Sequence, residues 1–175
     1  MKKQLASMVI IAAMAVSGQA MSSDKGGNVP AEAQKFQQFL GHWRGDAEIT
    51  ETGKAPVPMK MKIDCQQASS GFAVLCHDTI SNQLMTMTET DLMGFNPADG
   101  SYHWYAVTNT GETHDHLVEW ISDNAFVART TWQQGGVEMA ESIAVTWSSP
   151  TAMEFRTVIT AAGQEAMVFV GNLKK

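Results

Sequence analysis

His114 and His116 stand two residues apart in the segment THDHLVEW, residues 113–120. On an extended strand, side chains two apart project to the same face. A His-x-His pair of this kind can offer two imidazoles to one metal ion, orient the polar end of a ligand, or exchange protons near neutral pH. The stretch from Gly94 to Trp120 holds three of the five histidines and four of the seven Trp and Tyr residues. It therefore concentrates the side chains most able to recognise or transform a small molecule.

Turn chemistry decides which of these residues share a face. With Asn109-Thr110-Gly111 as a three-residue loop, Ala106 opposes His114, Trp104 opposes His116 and Tyr102 opposes Val118. Tyr102, Trp104, His114, His116, Val118 and Trp120 then form one face. A two-residue turn at Thr110-Gly111 would instead group His103, Tyr105, His114, His116 and Trp120, but Thr-Gly is a weaker two-residue turn than Asn-Gly. The first register is preferred. Two acids are candidates for the same interior: Asp78, and Glu141, which falls opposite Ala128 on the inner face of the Val137–Trp147 segment. Buried on an apolar wall, either would have a raised pKa.

These residues must be carried by strands. From Trp43 onward the chain reads as about ten strand-like segments of 7 to 11 residues separated by turn signals, the pattern of an antiparallel meander. In Val57–Cys65, Val57, Met59, Met61, Ile63 and Cys65 face one way, while Pro58, Lys60, Lys62 and Asp64 face the other. A turn at Ser69-Ser70-Gly71 sets Cys65 against Cys76, Ile63 against Asp78 and Met61 against Ile80. Opposed residues are near disulfide range, so a Cys65–Cys76 bridge is expected. Gln133-Gln134-Gly135-Gly136 is expected to pair Trp132 with Val137 and Phe126 with Ile143. Ala161-Ala162-Gly163, read as a three-residue loop, sets Ile159 against Glu165, Thr157 against Met167 and Phe155 against Phe169. Strands with one apolar face and no second sheet suggest an up-and-down barrel, because closure removes the sheet edges. Before them, Pro30 opens a short helix, Ala31–Leu40, with Ala33, Phe36, Phe39 and Leu40 on one stripe. It is expected to cap one end of the barrel.

The ends and the charge bound the setting. Lys2 and Lys3, the apolar run Leu5–Val16 and Gly18-Gln19-Ala20 have the form of a signal peptide cut after Ala20. Residues 21–29 read as a flexible tail and residues 30–175 as one domain. A periplasmic or secreted protein follows, and its compartment favours the disulfide. No later stretch is apolar for the ~18 residues that a membrane-spanning helix needs. Without Lys2 and Lys3, 10 of the 12 basic residues remain against 18 acidic ones. An acidic surface repels phosphate backbones, so nucleic acid is not expected as a partner.

Phe39-Leu40-Gly41-His42-Trp43-Arg44-Gly45 resembles the FLGxWxG opening segment of lipocalin-like barrels, with their Gly-x-Trp at Gly41-His42-Trp43. It is also similar to the opening motif of nitrobindin-type haem barrels. The spacing through Gly94-Phe95-Asn96-Pro97 and Trp104 to the end resembles a bacterial lipocalin-like domain-of-unknown-function family, distantly similar to nitrobindin and fatty-acid-binding barrels. The resemblance covers nearly all of residues 21–175 and implies a calycin-type β-barrel of uncharacterised function. Nitrobindins hold haem with a histidine near the C-terminal strands. Here no histidine follows His116, and Met167 or Phe169 stands in that region. Fatty-acid-binding barrels clamp a carboxylate with Arg-x-Tyr, whereas Arg156 is followed by Thr157 and Val158 and no tyrosine follows Tyr105. Haem is therefore not expected, nor is any other cofactor.

The expected function is non-covalent binding of a small apolar or amphipathic molecule, contacted by Tyr102, Trp104, His114, His116, Trp120 and Glu141. A metal site at His114 and His116 is the alternative. The strand-spaced pairs Met59/Met61 and Met85/Met87 would make copper its natural metal, although Met is more commonly an adaptable cavity filler. A second alternative is a low-turnover acid–base enzyme using the histidines with Glu141 or Asp78. No nucleophile elbow, phosphate loop or Cys/His pairing accompanies them, so catalysis is not the leading expectation.

Overall fold

The computed structural model describes residues 29–175. The expected signal peptide, and the tail up to residue 28, lie outside the described residues. Ten antiparallel strands follow in chain order: β1 Gly41–Glu51, β2 Val57–Ala68, β3 Ala73–Ser81, β4 Thr86–Asn96, β5 Ser101–Thr108, β6 Thr113–Ser122, β7 Ala125–Gln134, β8 Val137–Ser149, β9 Ala152–Ala161 and β10 Gln164–Lys174. Each pairs with its chain neighbours, and β1 closes the cylinder on β10. The expected up-and-down barrel is therefore the fold. Alternation sorts the side chains: Met59, Met61, Ile63 and Cys65 of β2 are buried, while Lys60 and Lys62 are exposed. No helix among the described residues is long and apolar enough to cross a membrane.

The short helix plugs one end. It begins as one α-turn, α1 Ala31–Gln34, and continues as a 3₁₀ segment, Lys35–Phe39. The change of winding follows from spacing. Ala33, Phe36 and Phe39 recur every third residue, and a helix of three residues per turn stacks them on one face. All three are buried, Phe36 completely. Phe39 meets Trp147 edge-on at 4.9 Å, and Phe36 lies 5.7 Å from Trp120 and 6.0 Å from Phe126. Burying each Phe contributes roughly 1.5–3 kcal/mol, which holds a segment too short to be helical alone.

The motif after the plug has a physical basis residue by residue. Gly41 adopts a positive φ of 113°, which lets the chain swing from plug into β1. Trp43 is fully buried, and its indole Nε1–H donates to the Phe39 carbonyl at 2.6 Å, tying strand to plug. Gly45 lies where β10 passes so closely that a Cβ would overlap the Asn172 carbonyl oxygen. The seam that closes the barrel thus requires a glycine there.

Two hairpin registers were anticipated correctly and two were not. Cys65↔Cys76, Ile63↔Asp78 and Met61↔Ile80 pair across β2 and β3 as expected. So do Ala106↔His114, Trp104↔His116 and Tyr102↔Val118 across β5 and β6, around the Asn109–Gly111 loop. That register places His103 outside, where it bonds Asp115 at 2.9 Å, and excludes the alternative grouping of His103 and Tyr105 with the interior histidines. Between β7 and β8 the turn is only Gly135-Gly136. Gln134 therefore opposes Val137, Trp132 opposes Met139, Phe126 opposes Val145, and Glu141 opposes Thr130 rather than Ala128. Two successive glycines with positive φ suffice for a two-residue turn, so the glutamines stay in the strand. Between β9 and β10 the loop is Ala162-Gly163, and a bulge between Glu165 and Met167 shifts the ladder again. Thr157 then opposes Phe169, and Phe155 opposes Gly171, whose missing side chain makes room for the Phe155 ring. Both errors are shifts of two residues, which preserve the face and change only the height.

Cys65 and Cys76 are joined by a disulfide that ties β2 to β3 eleven residues on. Closing a loop of that length stabilises by about 2–3 kcal/mol. The unreduced, denatured protein should therefore show no reactive thiol, and the Cys65→Ser/Cys76→Ser variant should unfold at correspondingly lower denaturant. Two titratable thiols in unreduced protein would contradict the bridge.

Candidate functional site

Above the plug the barrel encloses a cavity of about 460 Å³. Its wall is mostly apolar, with Ile49, Met61, Ile80, Met153, Phe155 and Phe169 among its residues, and Phe39 of the plug contributes to its floor. The strand ends carrying Glu51, Glu112 and Gln134 are at the opposite, unplugged rim. Polar groups gather on one side, where β3, β4, β6 and β8 contribute Asp78, Glu89, His114, His116 and Glu141.

Strand parity explains why these side chains turn inward together. His114 and His116 sit on the inner face of β6, with ring centroids 6.1 Å apart. His116 is buried and its two nitrogens are both engaged. Nδ1–H donates to the Trp104 carbonyl at 3.1 Å, and Nε2 lies 2.8 Å from Glu141 Oε2. With Nδ1 necessarily a donor, Nε2 and the Glu141 carboxyl share one further proton. The pair is either imidazolium with carboxylate or imidazole with carboxylic acid. His114 is half-buried nearer the rim, and its ring meets Trp132 at 4.5 Å.

Of the expected ligand-contacting residues, Trp104, His114, His116 and Glu141 line the cavity. Tyr102 and Trp120 share their face but lie toward the plug, packed on Phe36 at 5.9 Å and 5.7 Å. Their height on the strand, not their parity, removes them from the lining. Sequence reasoning missed Glu89 and Asp91. The signal was present: Met87, Glu89, Asp91 and Met93 alternate along β4, and extending the parity of the Met85/Met87 pair would have turned both acids inward. Asp91 is buried and accepts the Trp104 indole N–H at 2.8 Å.

The metal alternative finds no support. Among the described residues no group of three or more His, Cys, Asp or Glu is placed to hold a metal ion. His116 has no free nitrogen to offer. The methionine pairs also divide, since Met59 and Met61 are buried whereas Met85 is exposed near a rim turn.

Crowded carboxyls make the interior electrostatically unusual. Burial, together with the neighbouring Asp91 and Glu89 charges, pushes the Asp78 carboxyl well above its ordinary range. Burial and the Glu89 charge do the same for Asp91, against the opposing Trp104 hydrogen bond. Glu89 is raised to about 7, by burial first and the Glu141 charge second. For His116, burial acts downward, but the Glu141 hydrogen bond and charge, with the Trp104 carbonyl, outweigh it and leave its pKa raised.

All four shifts have one sign for stability. A group whose folded pKa exceeds its unfolded value holds a proton more tightly when folded. Its stabilisation is complete below the unfolded pKa and is lost as pH rises through the folded one. For Glu89 that window runs from 4.5 to about 7, a contribution of roughly 1–3 kcal/mol. Calorimetry should show the melting temperature falling between about pH 5 and pH 8, with a shallower fall in Glu89→Gln. A flat or rising profile in wild type would refute this arrangement of charges.

No family profile matches the chain, and no curated protein matches it. Solved structures do resemble it. The S-type phycobiliprotein lyase CPES from Guillardia theta aligns with a TM-score of 0.59 at 10% identity, covering 85% of this chain and 97% of that one. Rv2717c from M. tuberculosis gives 0.63 at 11% identity, covering 85% and 99%. A protein of unknown function of the DUF3598 family from Nostoc punctiforme gives 0.52 at 13% identity, covering 80% of this chain; the alignment spans about half of that protein, 48%. The narrower similarity to nitrobindin and fatty-acid-binding barrels is not shown by these likenesses, which speak for the fold. Together with the closed ten-strand cylinder, they fit a lipocalin-like, calycin-type fold.

Proposed function

We propose that this protein is an exported carrier that binds one small, largely apolar molecule inside its barrel. The cavity carries the reading: about 460 Å³, walled by Ile, Met, Phe and Trp side chains, stoppered at one end and polar along one side. That volume falls in the range of small-molecule sites, and a mostly apolar lining with few convergent polar groups is their usual composition. His114, His116 and Glu141 would orient the ligand's polar end, with Trp104 and Trp132 flanking its apolar body. Export rests on the leader-like residues 1–20 and agrees with the disulfide. The fold neighbour that is a phycobiliprotein lyase belongs to a barrel type compatible with small-ligand binding, but at 10% identity its activity is not carried over.

Acid–base catalysis remains the second reading, favoured by one observation. Glu89, raised to about 7, lies in the same cavity as the His116–Glu141 pair, and proton-transfer groups work best with a pKa near the ambient pH. Both readings require the cavity to accept a ligand.

A neutral apolar dye tests that requirement. N-phenyl-1-naphthylamine should bind saturably at one equivalent and fluoresce more strongly. Ala106→Phe, which places a ring in the lumen opposite His114, should weaken this at least roughly tenfold while the melting transition persists. Native mass spectrometry of the purified protein gives a second view through any retained organic mass. Absence of saturable dye binding in the folded wild-type protein would overturn the carrier reading.

A further inference from the structure

The charge inside the barrel is one-sided. Glu51 and Glu112 stand at the rim, and Asp78, Glu89 and Glu141 at mid-height. Among the described residues, no lysine or arginine lines the cavity. The cations near the barrel ends face elsewhere: Lys35 lies over the Tyr102 and Trp120 rings, and Lys175 over Trp43. The other charge-bearing candidates inside are the two histidines. His116 shares its proton with Glu141, so that pair adds no net positive charge. Strands β2, β5, β7, β9 and β10 contribute no charged residue to the lining.

One member of this wall is incomplete. Asp78 is only 5% exposed, and its Oδ1 finds no hydrogen-bond partner among the described residues. Its cross-strand neighbours explain the shortage. Ile63 on β2 offers no donor, and Glu89 on β4 is another acid. A buried oxygen left without a donor is destabilising by about 1–3 kcal/mol, and the deficit ends when a donor arrives. What Asp78 lacks is a donor, and what the lining lacks, among the described residues, is a lysine or arginine.

We infer that the molecule held in the barrel carries a protonated amine or related cationic group, seated between Asp78, Glu89 and Glu141, rather than a carboxylate or phosphate. This rests on the reading of the barrel as a small-molecule carrier and names the ligand's head group. An ammonium supplies three donors and one positive charge to a site with a surplus of acceptors. The indole faces of Trp104 and Trp132, both in the lining, are also favourable surfaces for a cation. An anionic head group would meet the same carboxyls with neither an arginine nor a lysine to receive it. The burial that penalises Asp78 and Glu89 as carboxylates without a counter-charge would favour them once a cation lies beside them.

Three ligands of equal chain length separate the possibilities: decylamine, decanol and decanoate, each displacing N-phenyl-1-naphthylamine at about pH 8, where the amine is protonated and Glu89 is largely ionised. Decylamine should bind roughly ten- to a hundredfold tighter than decanol, the gain of a charge-assisted hydrogen bond, and decanoate should bind weakest. In Asp78→Asn/Glu89→Gln the ratio of amine to alcohol affinity should fall towards one. The melting temperature of that variant reports whether it is folded, and the wild-type ranking stands as a test without it. Equal affinities, or a preference for decanoate, would overturn the cationic head group while leaving the carrier reading in place. Failure of all three to displace dye that does bind would also overturn it, whereas failure of the dye itself to bind removes the carrier.

Discussion

Closure of the sheet is the constraint on which the rest depends. Because β1 pairs with β10, every strand has a neighbour on each side, and every side chain belongs either to the lumen or to solvent. That single condition puts Met59 inside and Lys60 outside, and it forces His114, His116, Glu89 and Glu141 to share a volume although they come from three strands. It also explains the glycine at position 45. The first and last strands meet where the Asn172 carbonyl leaves no room for a side chain. The plug depends on closure as well, since Phe36 and Phe39 need a ring of strands to fill.

Much of this was legible from residue order, because alternation is local information. The hairpin carrying His114 and His116 was readable because Asn109-Thr110-Gly111 leaves one strong turn, and the cysteine pair because the turn between its strands is equally plain. Height along the barrel was harder. Gly135-Gly136 and Ala162-Gly163 make tighter turns than their surroundings suggest, and no residue pattern announces the bulge near Glu165. A two-residue slip leaves a side chain inside but moves it roughly 7 Å along the strand. That distance separates lining a ligand cavity from packing under the plug, as Tyr102 and Trp120 illustrate. The acids of β4 were overlooked for another reason. Glu89 and Asp91 interrupt an apolar face, and charged residues in a strand are ordinarily counted as its solvent side.

The interior chemistry reflects a tension between packing and charge. An apolar lumen would be more stable filled with hydrocarbon side chains, and replacing buried ionic groups by apolar ones of similar volume is often neutral or stabilising. Retaining Asp78, Glu89, Asp91, His116 and Glu141 together therefore has a cost in stability that packing alone does not explain. Among the described residues, only two of these carboxyls find a side-chain partner: Asp91 the Trp104 indole, Glu141 the His116 imidazole. The exterior shows the opposite arrangement. There the ion pairs of Asp64 with His42 and Arg44, and of Glu119 with Arg129, are exposed and contribute little.

The seam between β1 and β10 also bears on how the cylinder is assembled. Every other strand pair joins segments that adjoin in the chain, so nine of the ten ladders can form with short loops. Only the last brings together residues as remote as Arg44 and Lys174, about 130 positions apart, and loop-closure entropy grows with such separation. The barrel behaves kinetically as a ribbon with one long-range step. Trp43, anchored to the Phe39 carbonyl and covered by the Lys175 ammonium, stands at that junction and latches the ribbon into a ring.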